Sequence, residues 1–252
     1  MRVVIESPTD TIVLSGDKMS LDEWQLQSEP LDGWYEAPDP RADATDIPQL
    51  DGAYWPAQLL TGARVLTVRG QAMWSRSSLE GGSARRRVAA LSGVPLSVCV
   101  EDSMGPMWVE GFISRIVEGH AYTTEDRYTF ALILTCPDPV RYGMPVSQVA
   151  SGGVVTAENS GTAFTWPTFD VAGSVTMFRA TLGSTVLEWQ GSSASNLHID
   201  TRMGVGTSGG VQVGRLTHDD LLRLPPTGMS QIQVATTPAG RTVTMTARSG
   251  WK

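Results

Sequence analysis

Along most of this chain apolar and polar residues alternate with a period of two. Residues 64–69 (RVLTVR), 96–101 (LSVCVE), 108–117 (WVEGFISRIV) and 128–134 (YTFALIL) alternate between Gly, Pro or Asp boundaries. They predict strands with one buried face. The same texture continues in shorter pieces at 164–171, 175–182, 185–189, 196–200, 210–213, 230–236 and 241–248. About seven strands at roughly ten-residue spacing is the pattern of a β-sandwich. Helical spacing is rarer. Residues 83–91 (SARRRVAAL) are rich in helix formers and stop at Ser92 and Gly93, while 218–224 (HDDLLRL) predict a single turn before Pro225 and Pro226 forbid more.

Residues 142–154 (YGMPVSQVASGGV) are small and turn-prone, and they place a domain boundary near residue 150. The expected fold is mainly β, with a β-rich unit carrying one short helix over 1–150 and a β-sandwich over 151–252. Glu29 to Pro56 carries five prolines and scattered acids, which predicts an extended surface arm or long loop.

Composition agrees with a packed protein, since 41% of residues are hydrophobic and 18% charged. Charge is distributed unevenly. Of a net −7, residues 1–51 supply twelve Asp or Glu against Arg2, Lys18 and Arg41, while the remainder is nearly balanced. That argues against sequence-specific DNA reading, which needs a basic surface; an acidic segment usually means a solvated face, and it would also suit a surface that nucleic acid passes without sticking. The longest apolar run, Phe130 to Leu134, is far too short to cross a bilayer, and Met1 to Pro8 lacks the apolar run of an export signal. Folding in the cytoplasm without membrane insertion is therefore expected. Cys99 and Cys136 sit inside apolar stretches and read as reduced core thiols.

Candidate chemistry is sparse. His120, His198 and His218 are isolated, with no metal-ligand spacing. His198 and Asp200 share a strand face, but alternation turns Leu197 and Ile199 inward and leaves that pair in solvent. The glycines from Gly204 to Gly210 lack the helix and lysine of a phosphate loop and read as a hairpin or flexible loop. Arg85, Arg86 and Arg87 spread around a helix as a solvated or partner-facing surface. The eight tryptophans read as core or subunit interface, with a sugar-stacking platform as the other use. No residue is assigned a catalytic, cofactor-binding or metal-binding role. No enzyme is expected.

Four phrases in order then carry a resemblance. Pro137, Asp138, Pro139, Arg141 and Tyr142 close the first unit. Asn159, Gly161, Thr162 and Pro167 open the second. Ile199 to Thr201 follow, and Leu224, Pro225 and Gly228 precede the last strands, with Pro226, Thr227 and Ser230 departing from the simpler form. In this order the chain resembles the distal tail proteins of long-tailed (siphovirus) bacteriophages over nearly its whole length. The acidic stretch from Glu29 to Pro56 has no counterpart in the phrases.

The resemblance implies a structural virion protein at the distal end of a phage tail. Its N-terminal domain would form a ring, usually of six copies, and its C-terminal domain would be a galectin-like sandwich. Its partners would be further copies of itself, the tail tube protein, and tail-associated, baseplate hub and receptor-binding proteins, with DNA passing through the lumen unbound. For such a ring, 64–73 and 108–117 are the expected unpaired strand edges that neighbours cover. The alternatives are a carbohydrate-binding module, which predicts several coplanar exposed tryptophans, and a tail hydrolase. For a hydrolase the close acidic doublets are Glu101–Asp102, Glu125–Asp126 and Asp219–Asp220. Adjacent strand residues point to opposite faces, which makes them poor catalytic pairs.

Overall fold

The computed structural model describes residues 1–17, 24–41, 45–55, 60–73, 78–119 and 127–252. They form two compact units, Met1–Arg141 with Lys252, and Tyr142–Trp251. The boundary thus lies about nine residues before the one expected near 150. The reason is that Val146–Val149 is a strand of the second unit and not a connector.

The first unit contains β1 (Arg2–Glu6), β2 (Thr11–Ser15), β3 (Trp24–Asp32), the small pair β4 (Thr45–Asp46) and β5 (Ala53–Tyr54), and β6 (Arg64–Met73). Helix α1 (Ser78–Ala90), β7 (Leu96–Asp102), β8 (Gly105–Glu118) and β9 (Arg127–Cys136) follow, and β10 (Arg141–Tyr142) straddles the boundary. Seven strands run β1-β2-β3-β6-β9-β8-β7, and β7 pairs back with β1, so the sheet closes into a barrel. Alternation puts Val3, Ile5, Ile12, Leu14, Leu66, Val68 and Leu132 inside, all fully buried. Gly70 lets the lining interlock, because a Cβ there would come within 2.8 Å of Leu14 and Phe130.

Closure overturns part of one expectation. β6 is paired with β9 along its whole length and with β3 over 67–68 and 70–72, so 64–73 is not a free edge. β8 pairs with β7 over 105–111 and with β9 over 112–118, so the stretch of 108–117 from Phe112 onward keeps an edge that β7 does not cover. α1 buries Ala84, Val88 and, just beyond it, Leu91, then ends at Gly93 with φ +79°. The arginine run does more than face solvent. Arg87 grips Asp10 with Nε to Oδ2 at 2.8 Å and Nη2 to Oδ1 at 3.0 Å and lies over the Trp24 ring, while Arg85 pairs with Glu118. Two of the three guanidinium groups therefore bind the helix to the barrel.

The second unit contains β11 (Val146–Val149), β12 (Val154–Asn159), β13 (Thr168–Leu182), β14 (Thr185–Asp200), β15 (Val205–Ser208), β16 (Val211–Gln212), β17 (Arg215–Asp219), β18 (Gly228–Thr237), β19 (Val243–Ala247) and β20 (Gly250–Trp251). One layer runs β11-β19-β13-β14-β15-β16; the other runs β12-β18-β13-β14-β17. The long β13–β14 hairpin serves both. Val171 is followed by register shifts, and past them β13 changes partner from β19 to β18. The sequence predicts four short strands here, interrupted near Gly173 (φ +81°) and in the run before Asn196 (φ 53°). In the fold these interruptions are bulges that bend two long strands from one layer into the other. Between the layers lie Val155, Phe169, Phe178, Leu187, Trp189, Leu197, Ile199, Ile232 and Met245. The helical turn expected at 218–224 is absent: β17 runs to Asp219, Asp220 accepts from Val186 N (3.0 Å), and Leu221 takes φ 57°.

Candidate functional site

The residues that carry the family resemblance occupy two buried polar knots. In the second unit Asn159 is 1% exposed, and its side-chain nitrogen donates to Ala163 O (2.8 Å) and Pro225 O (3.0 Å). Its Oδ1 accepts from Gly161 N (3.1 Å) and Gly250 N (3.2 Å). Gly161 is required by space, since a Cβ there would fall 1.8 Å from Gly250 O. Thr201, also buried, donates to Pro167 O at 2.7 Å. Asp200 accepts from the amides of Arg202 and Met203, closing the turn after β14. These phrases therefore tie loops to the sandwich.

In the first unit the knot is built on Arg64, 2% exposed, and Arg141, 7% exposed. Arg64 Nε donates to Pro139 O (2.9 Å), and its Nη1 donates to Gly33 O (2.5 Å) and Glu36 O (2.8 Å). Arg141 lies over the Trp34 ring, 5.6 Å from its centroid, and donates to Lys252 O at 3.1 Å. Burial lowers both guanidinium pKa values, and for Arg64 the charge of Arg141 adds to it. Tyr35 donates to Asp102 (2.7 Å), and burial, with that carboxylate beside it, pushes its phenol up to about 12. The knot fastens the root of the segment that follows β3.

That segment is a narrow ribbon. Pro40 bridges Thr61, Arg41 N donates to Leu60 O (2.7 Å), Gly62 N donates to Asp39 O (2.7 Å), and β4 pairs with β5. Among the described residues neither β4 nor β5 pairs with another strand. Leu50, Tyr54, Trp55 and Leu60 are all exposed, Trp55 by 85%. The surface arm expected between Glu29 and Pro56 is thus a two-stranded ribbon, entered from the last residues of β3 and rooted by the buried Trp34.

Candidate catalytic groups do not converge. His198 Nδ1 lies 2.7 Å from Asp170 Oδ1 on the neighbouring strand, instead of meeting Asp200. His218 Nε2 lies 3.1 Å from Asp220 Oδ2, and both residues are exposed. His120 and the Glu125–Asp126 doublet fall outside the described residues. Cys99 and Cys136 are buried free thiols, and burial pushes both up to about 11, far from the low values of reactive thiolates. Among the described residues no group of three or more His, Cys, Asp or Glu is placed to hold a metal ion. The sugar platform fares no better: Trp24, Trp34 and Trp189 are buried, Trp108, Trp166 and Trp251 half-buried, and Trp55 alone among the described tryptophans is exposed.

Trp189 also explains the glycine cluster. Its Nε1 donates to Val213 O (2.8 Å), and a Cβ on Gly191, Gly206 or Gly214 would come within 2.5–2.6 Å of its indole ring. Those glycines make a slot for a core indole, a signal that spacing alone does not carry.

With the barrel, sandwich and ribbon in place, comparison with solved structures is decisive at the level of fold. The Dit protein of phage SPP1, described as a paradigm of the hub adsorption apparatus of phages infecting Gram-positive bacteria, superposes with a TM-score of 0.65. The match covers 99% of both chains at 16% identity. The chain has the Dit fold. A chain of the phage P2 baseplate, in its activated conformation with Ca, matches with a TM-score of 0.51 at 10% identity, covering 98% of each chain. No protein-family model matches the sequence, and no curated protein matches it significantly. The four phrases lie at the end of the barrel unit and in the loops of the sandwich.

Proposed function

We propose that this chain is a structural component of a phage tail tip, forming a ring of about six copies that joins the tail tube to the baseplate and receptor-binding proteins while DNA passes through. The observation that carries this reading is the end-to-end match to Dit, covering both units with almost nothing left over on either chain. The P2 baseplate match supports the same place in the virion. The acids described between Glu6 and Asp51 lie mostly on exposed positions, as expected for surfaces that DNA slides past. No residue is assigned a catalytic part, and the sandwich is read as the galectin-like domain.

Because the barrel closes on itself, this reading has the ring held by faces and by the ribbon. Six copies of 27.1 kDa make an assembly of roughly 160 kDa. The test is a reconstruction of assembled tails. Density for residues 1–141 encircling the channel at the distal end, with 142–251 outside, is the expected result. Absence of the chain from that end, or the reverse placement of the two units, overturns the reading.

A further inference from the structure

The ribbon between Asp39 and Gly62 is exposed along almost its whole described length, and it carries apolar residues that nothing described in its own chain covers. A two-stranded ribbon is at best marginally stable alone, and clustered exposed apolar residues mark a contact surface. Its charges point the same way. Asp46 and Asp51, at the two ends of the tip, are exposed and take part in no ion pair among the described residues.

A complementary surface lies on the outside of the barrel. Phe112 and Val65 flank Thr135 on the outward faces of β8, β6 and β9, and both are exposed. Two residues along β9, Arg115 stands opposite the half-buried Ile133, and Val117 follows opposite Ala131. This is an apolar strip with a single exposed guanidinium between Phe112 and Val117, and Arg115 too takes part in no ion pair among the described residues.

We infer that the Asp39–Gly62 ribbon of one copy docks on the β6–β9–β8 outer face of a second copy, with Leu50, Tyr54 and Trp55 against Val65, Phe112 and Val117 and with Asp46 or Asp51 against Arg115. The occupant is a second copy because one chain carries both surfaces, with matching apolar character and opposite charge. Two different patches make a head-to-tail contact, which closes into a ring or runs on as a filament. The inference rests on the ring reading above and names the surfaces that would hold it.

Full-length chains carrying Ala53→Cys on the ribbon and Ser114→Cys on the barrel face, mixed and mildly oxidised, test it. The native thiols do not compete, being buried with pKa values near 11. Expected is a mixed disulfide dimer well above what either chain forms alone. Trp55→Ala on the ribbon chain should lower its yield about tenfold, with an unchanged melting temperature because the side chain is exposed. Arg115→Glu on the face chain should lower the yield, and Asp46→Arg with Asp51→Arg on the ribbon chain should restore it. Equal yields in mixed and single-chain samples, ribbon-to-ribbon dimers, linkage only to an added tail tube protein, or indifference to the charge swap would each overturn it. If the cross-link fails while tails show a ring of this chain, the ribbon assignment is wrong and the tail-tip reading stands. If the cross-link forms while tails lack the chain, the ribbon contact stands and the tail-tip reading falls.

Discussion

Asn159 satisfies two carbonyls and two amides with one buried side chain, so its removal strands several polar groups at once. Each such group costs about 1–3 kcal/mol, and Asn159→Ala should destabilise the sandwich by about 3 kcal/mol or more in denaturant titration. Trp189→Ala, which leaves a hole lined by three glycines, should cost about 3–5 kcal/mol. The Asp10–Arg87 pair is half-exposed and worth far less, about 0.5–1 kcal/mol. Arg87 holds the Asp10 carboxyl below its usual value, so this stability is present above the unfolded pKa and is lost as pH falls through the folded one. Asp10→Asn should therefore be less stable than the parent at pH 7, with the gap closing as the pH falls through the folded-state value and gone only well below it. A gap that persists in acid would mean that the pair acts by packing instead.

Among the elements, β6 and β9 are legible in the sequence because each has one buried face and an unbroken period of two, and β7 and β8 are legible despite the buried run Val98 to Val100 and the bulge between Ile113 and Arg115. β1 is not, because Val3, Val4 and Ile5 are all buried and show no alternation. The β13–β14 hairpin reads as four strands because Gly173 and the small polar run 190–195 interrupt the alternation, and only the strand pairing reveals these interruptions as bulges. β11 is hidden in a stretch of small residues whose partner, β19, lies about a hundred positions later. The four phrases are legible as sequence, but their role in the Asn159 and Arg64 knots is not, since each knot joins residues far apart in the chain. The corrected boundary has a consequence: a fragment of residues 142–252 should melt cooperatively, whereas one starting at 151 leaves β19 without a strand on one side and should melt at lower temperature. Equal melting temperatures would return the boundary to residue 150.

For the whole molecule, the barrel's closing seam sets the order of events during synthesis. β1 can form its hairpin with β2 at once, but its other edge pairs with β7, Val4 opposite Cys99. Until about a hundred residues have left the ribosome, the first strand therefore keeps one side open, and the barrel is a long-range closure of the kind that folds slowly. Once the seam is made, β1 is paired along its whole length on both sides and offers no edge to passing chains. A newly made chain then no longer presents its first strand for pairing with the sheets of other chains.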